Sequence, residues 1–211
     1  MAKILVTGGA GYIGSIILAR LLKLGHDAIA VDDLSKGHRE NVPADRLVVA
    51  RLQDTERVAS LLEGRELVLH FAAFIAVGES VREPERYFEN NVGGSLSLLT
   101  AMDRAGVSKL VFSSTAAVYG EPKQVPIPED HSFSPESPYG ESKATVERIL
   151  DSIGSARASF RSVRLRYFNA CGADPESVLG ENHEPETHLI PLLFRAIRTG
   201  QPINLFGDDY P

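Results

Sequence analysis

Residues 137–147 read SPYGESKATVE, which sets Tyr139 and Lys143 four apart. On a helix that spacing places the phenol and the ammonium on one face, about one turn from each other. A free phenol titrates near pH 10, so work as a base at neutral pH requires a shift of about three units, about 4 kcal/mol in favour of the phenolate. A neighbouring ammonium together with a second positive charge supplies that in a partly dry site. The same spacing also suits an ordinary solvent-facing helix, so the pair needs context.

The first context is T7-G-G-A-G-Y-I-G14, with glycines at 8, 11 and 14 between an apolar run at 3–7 and a helix-like segment at 12–24. Such a turn lets the backbone approach a pyrophosphate while helix N-terminal amides face its charge. A merely structural turn has the same glycines. Asp32, however, ends the next apolar run 18 residues after Gly14, close to the spacing of a ribose-binding carboxylate. A carboxylate there accepts from both ribose hydroxyls and repels a 2′-phosphate, and Asp33 adds a second negative charge. NAD is therefore expected over NADP, with Lys36 and Arg39 keeping the alternative open.

The second context is SSTAAVYG at 113–120, at the end of a predicted strand. Hydroxyls at that edge face the crevice in which a dinucleotide would lie, and Thr115 is placed to relay a proton between a substrate and Tyr139. Strand-end serines also serve as plain turn and capping residues.

The elements that must position these groups alternate along the chain. Strand-like runs at 3–7, 27–31, 47–49, 67–71, 109–114 and 159–168 are separated by helix-like segments at 12–24, 54–62, 84–105 and 138–153. This pattern predicts an α/β fold, a Rossmann-type doubly wound parallel sheet. Gly25, Gly106 and Gly200 fall where helix C-termini take a left-handed residue. Ser137-Pro138 supplies an N-cap and a first-turn proline for the Tyr139 helix. In the segment 84–105, Phe88, Val92, Leu96 and Leu99 share a helical face that is expected to pack in the core. Past residue 169 the texture changes to a polar Gly/Pro-rich loop, then a helix-like LIPLLFRAIRTG and a strand-like PINLF. The expected division is a dinucleotide-binding domain at 1–168 and part of a substrate-binding domain at 169–211, ending on GDDYP as an interrupted unit.

With 211 residues, 43% hydrophobic and 24% charged, the chain can bury a full core. A net charge of −6 without a basic run argues against a nucleic-acid partner. The single cysteine, Cys171, excludes an internal disulfide and fits a reducing cytoplasm. MAKILVTGG lacks the apolar stretch of a signal peptide, and nothing reaches membrane-spanning length. No metal ligands are expected: His26 and His70 have no ligand-spaced partners, and no Cys/His cluster has zinc spacing.

Taken with TGGAGYIGS, HFAAFIAVGES, FENNVGGSL, SSTAAVYG, SPYGESK, LRYFNACGA, THLIP and LFGDDYP, the chain resembles the extended short-chain dehydrogenase/reductases, and within them the UDP-glucose 4-epimerases. The resemblance implies interconversion of UDP-glucose and UDP-galactose through a 4-keto sugar, with Tyr139, Lys143 and Thr115 as the catalytic set. It implies cofactor contacts at Gly8, Gly11, Tyr12, Ile13, Gly14, Asp32, Asp33, Leu34, Ser35, Leu52, Phe71, Ala72, Ala73, Asn90, Ser113 and Phe168, besides Tyr139 and Lys143. It implies UDP-sugar contacts at Val77, Thr115, Tyr139, Tyr167, Asn169, His188, Leu189, Leu205, Phe206 and Tyr210, and a homodimer. Relatives that eliminate water carry Asp-Glu after the strand-end Thr; here Ala116-Ala117 stands there, which disfavours that chemistry.

Three departures stand out. Arg51 occupies the place of an adenine-contacting Asp, and Phe74-Ile75 stands where relatives often carry Lys. Relatives also continue past FGDDYP with an Arg for the diphosphate. A module that binds NAD without turnover, and another nucleotide-sugar epimerase or reductase, are the competing readings.

Overall fold

The structure, a computed structural model, describes residues 1–176, 179–204 and 207. The chain divides into two compact units, Met1–Ala170 and Cys171–Pro211, each taken by itself below.

Six strands form one sheet in the first unit: β1 Lys3–Thr7, β2 Asp27–Asp32, β3 Leu47–Val49, β4 Leu67–His70, β5 Lys109–Thr115 and β6 Arg161–Tyr167. Their order is β3-β2-β1-β4-β5-β6 and every pair is parallel. The chain runs outward from β1 in one direction, then returns to place β4 on its other side. That reversal opens a crevice at the C-terminal ends of β1 and β4.

Continuous apolar runs form these strands because both sheet faces are covered. Along β1, Leu5 joins a cluster with Val68, Leu98, Met102, Phe112 and Leu150, while its neighbours Ile4 and Val6 join another with Leu18, Ala28, Ala30 and Leu69. The period-two alternation of a strand thus feeds two cores. Helix α1, Tyr12–Lys23, covers one face through Leu18, whose full burial contributes about 2 kcal/mol. On the other lie α2 Thr55–Leu62, α5 Gly94–Arg104 and α6 Pro138–Ala156. Gly25, Gly106 and Gly200 take positive φ just past helix ends, as their positions predict.

The segment 84–105 is not one regular helix. After a short α3, Val77–Arg82, the chain forms α4 Pro84–Tyr87, a π-helical turn Phe88–Gly93 and then α5. The wide turn shifts the helical phase, so the four apolar residues do not share a buried face. Leu99 and Val92 pack on the core, whereas Phe88 and Leu96 are 37% and 45% exposed. The expectation that all four are core residues fails for those two.

In the second unit, Ala173 and Gly180 form an antiparallel bridge, and α7, Leu189–Thr199, ends at Gly200. No residue of α7 is buried. Pro202–Asn204 is not strand, contrary to the reading of PINLF. Leu205, Phe206 and Tyr210 lie outside the described residues.

Candidate active site

The glycine turn leaves β1 at the crevice. Gly8 has φ 67°, and a Cβ on it would stand 2.5 Å from the Ala72 amide nitrogen, where the turn after β1 meets the loop after β4. A Cβ on Gly14 would stand 2.1 Å from the Gly8 carbonyl oxygen. Both glycines are required by the protein's own backbone. Gly11 differs: a Cβ there would meet only Gly8 O, at 3.4 Å. It is the N-cap of α1, has no side chain to cap the helix, and the first turn carries no acidic residue. A helix start with no side-chain cap and no first-turn carboxylate fits a diphosphate, which Tyr12 and Ile13 would flank.

Asp32 ends β2 and is buried. Its Oδ2 accepts from the Ala10 amide at 3.0 Å and its Oδ1 from the Leu34 amide at 2.8 Å. The carboxylate therefore ties the glycine turn to the next loop. Burial pushes its pKa up, opposed by those two amides. Leu34 carries φ 60°, a left-handed conformation held by that bond. Asp33 folds onto its own turn, accepting from Ser35 N at 2.9 Å and from the Ser35 hydroxyl at 2.6 Å. Its other oxygen faces Arg51 at 4.0 Å. The cation in the unexpected position thus offsets the second negative charge beside Asp32.

Thr115 ends β5 and caps the turn Ala116–Val118, its Oγ1 accepting from the Ala117 amide at 3.1 Å. The hydroxyl stands close enough to the Tyr139 phenol to lower its pKa. Ser137 caps α6 by accepting from Gly140 N at 3.1 Å, and Pro138 begins the helix. The threonine and tyrosine singled out for proton transfer therefore stand on the same edge, at the end of β5 and in the first turn of α6.

Lys143 is wholly buried one turn on. Its Nζ donates to the Ser113 carbonyl oxygen at 2.8 Å and lies 4.8 Å from the centre of the Phe112 ring. Burial lowers its pKa to about 7. The Tyr139 phenol, by contrast, is pushed above its ordinary value by burial, which outweighs the Thr115 hydroxyl. In the protein alone desolvation penalises both charged forms, so the expected acidity of the phenol needs the second positive charge as well as the ammonium.

Several residues that sequence reasoning passed over hold this edge in place. The Asn91 amide is saturated: Oδ1 accepts from Phe74 N and Asn90 Nδ2, both at 2.9 Å, and Nδ2 donates to Phe74 O and the Ser142 hydroxyl, both at 3.0 Å. Ser142 in turn donates to Tyr139 O at 2.7 Å. His70, buried as expected, is a neutral spacer with its pKa lowered to about 3 by burial, then by Lys143. Ser95 donates its proton to Asn91 O, so His70 Nε2 donates to Ser95 Oγ, and Nδ1 accepts from Thr7. Glu147, buried on α6, takes Ser114 Oγ and two nitrogens of Arg166, at 3.1 and 2.7 Å. A serine hydroxyl, a carboxylate and a guanidinium so lock β5, α6 and β6 together. Most of these residues stand inside the quoted motifs, but their spacing does not reveal their partners; only the fold brings those near.

Phe71, Ala72, Ala73, Leu52, Asn90 and Ser113 are half-buried in the first unit. Tyr167 ends β6, half-buried with its pKa raised by burial, while Phe168 is 68% exposed and Asn169 exposed. Val77 begins α3 and is about half exposed. His188 and Leu189 belong to the second unit, where His188 is the N-cap of α7.

Comparison with known proteins gives a consistent picture. Residues 4–211 match the model of the NAD dependent epimerase/dehydratase family. A UDP-glucose 4-epimerase of Lacticaseibacillus casei is 45% identical over 99% of this chain and 64% of its own length. One of Corynebacterium glutamicum is 47% identical over 99% of this chain and 63% of its own. The crystal structure of UDP-glucose 4-epimerase from Brucella ovis in complex with NAD superposes with a TM-score of 0.95 at 41% identity, covering 100% of this chain and 65% of that one. The enzyme from Stenotrophomonas maltophila with bound NAD and formylated UDP-arabinopyranose gives 0.94 at 39% identity, covering 100% and 66%. The chain thus spans about 64% of the length of the curated relatives it matches, and with its glycine turn, its strand-end Thr115 and its Tyr139–Lys143 helix it belongs to the NAD dependent epimerase/dehydratase family.

Proposed function

We propose that the protein interconverts UDP-glucose and UDP-galactose at C4 through a 4-keto sugar, with NAD as a retained cofactor. The observation that carries this reading is the placing of Thr115 at the end of β5 and of Tyr139 and Lys143 at the start of α6, with Lys143 bonded to the Ser113 carbonyl of β5, in a sheet whose first turn is a glycine turn. The cradle fits NAD: uncapped α1 amides for the diphosphate and a buried Asp32 carboxylate for the ribose. When bound, NAD supplies reversible acceptance of hydride from the sugar carbon.

The chain's own residues manage the proton. Tyr139 Oη takes it from the sugar 4-hydroxyl and gives it back, with Thr115 Oγ1 relaying between them. Lys143, latched to Ser113 O, holds its amine beneath the edge and contributes positive charge when protonated. Ala116 and Ala117 offer neither acid nor base for loss of water, so the oxidised sugar is reduced again rather than dehydrated.

We place Tyr167, Asn169, His188 and Leu189 along the UDP-sugar and assign 171–211 to substrate binding. The exposed Phe88 and Leu96 side chains support a homodimer formed through that helical region. Among the described residues no helix is long and apolar enough to cross a membrane; with the exposed free thiol of Cys171, this supports a reducing cytoplasmic location. A second reading, NAD binding without turnover, is favoured by α7, which carries no buried residue. Incubation of the chain with UDP-galactose, followed by assay for UDP-glucose beside a Tyr139→Phe control, separates the two. Turnover lost in the control supports catalysis; equal residual signal in both proteins removes it.

A further inference from the structure

The loop leading into α7 carries a cluster of which only His188 has been placed along the UDP-sugar above. Glu181, His183, Glu186 and His188 each present one ligand atom, and the four atoms lie within 4.8 Å of one another. His183 Nδ1 and His188 Nδ1 both face Glu181 Oε1, at 3.3 and 2.6 Å, and His188 Nδ1 stands 3.3 Å from Glu186 Oε1. The two imidazole rings are 5.2 Å apart at 49°.

Both carboxylates are largely withdrawn from water, with side-chain exposures of 8% for Glu181 and 4% for Glu186. Glu186 Oε1 also accepts from the Thr187 and His188 backbone amides, both at 2.8 Å, and a nearby positive charge stabilises withdrawn carboxylates further. One dication in the centre would face all four ligand atoms. Ligand atoms about 2.0–2.1 Å from a tetrahedral centre stand about 3.3 Å apart, which is the separation two of the three measured pairs already have. The mixed imidazole and carboxylate set suits a borderline ion rather than calcium or magnesium.

We propose that Glu181, His183, Glu186 and His188 form a site for one divalent transition-metal ion of the zinc class, which staples loop 181–188 to the N-terminus of α7. The spacing E-x-H-x-x-E-x-H escapes a search for Cys/His zinc patterns, because half of the ligands are carboxylates. The site lies in the second unit and shares His188 with the proposed UDP-sugar contacts, facing Glu181 and Glu186 through its Nδ1. Zinc binding is read without UDP-sugar, so its failure is distinguishable from failure of the epimerase reading.

The test uses the tag-free 211-residue chain, stripped with a chelator and dialysed against zinc. The expected result is one zinc per chain surviving gel filtration, replaced by cobalt with the strong visible bands of four-coordinate geometry. Glu181→Gln combined with His183→Ala should weaken zinc binding at least about tenfold with an unchanged circular dichroism spectrum. Substoichiometric zinc, or equal affinity in the double variant, marks an adventitious ion only and overturns the proposal. Should the variant not fold, the unaltered chain decides: zinc must slow protease cleavage within 181–188, and an unchanged rate overturns the site.

Discussion

Lys143 Nζ donates to the Ser113 carbonyl oxygen at 2.8 Å, which latches α6 to β5 two residues before Thr115. That bond satisfies a wholly buried amine, yet burial still lowers its pKa from 10.5 to about 7. The folded value lies below the unfolded one, so between them the unfolded chain binds the extra proton. Stability therefore rises with pH from about 7 upward, by at most about 1.4 kcal/mol per pH unit from this group, and the gain is lost again as pH falls from the unfolded value of 10.5 towards 7. Denaturant unfolding between about pH 7 and about pH 9 should show the slope, and Lys143→Met should flatten it.

The glycines of the first turn should separate by role. Gly14→Ala sets a Cβ 2.1 Å from Gly8 O, inside the backbone, and should abolish folding or NAD binding with it. Gly11→Ala meets nothing of the protein closer than 3.4 Å. It should leave the melting temperature nearly unchanged and still weaken NAD retention, read from nucleotide released on denaturation.

Asn91 is the joint between the loop after β4 and the Tyr139 helix. Asn91→Leu strands the Phe74 amide and carbonyl and removes a partner of Ser142. Each buried group left without a partner costs about 1–3 kcal/mol, so the variant should lose at least about 2 kcal/mol in denaturant unfolding. A loss below about 0.5 kcal/mol would show that the amide is not structurally coupled.

Arg166 and Glu147 form a buried pair with side-chain exposures of 20% and 1%. Arg166→Met alone leaves a buried carboxylate uncompensated and should cost about 3–5 kcal/mol. Adding Glu147→Leu should recover most of that loss, a non-additivity that a double-mutant cycle in urea measures directly.

Much of this architecture is legible in the residues. Apolar runs such as KILVT and LVLH mark strands buried on both faces, and the glycines at 8 and 14 are there because the backbone requires them. Thr115, Tyr139 and Lys143 are found by spacing and by their place at strand and helix ends. What escapes is context. The π turn at Phe88–Gly93 is fixed by one buried amide, Asn91, whose partners lie far along the chain, so a regular period misplaces Phe88 and Leu96. Charge states escape too: spacing sets Lys143 beside Tyr139, but only burial decides that its amine bonds a carbonyl and that both charged forms are disfavoured.

The account rests on Tyr139 changing its acidity when the cofactor arrives. Alone, its phenol is held above its ordinary value by burial; an oxidised nicotinamide adds the positive charge that reverses this. The decisive measurement is the ultraviolet difference titration of phenolate in NAD-free and NAD-loaded protein, with the Tyr139→Phe titration subtracted from each. The account predicts a midpoint above the ordinary value of about 10 without NAD and a lower one with it. A midpoint that stays above 10 in both states would contradict it.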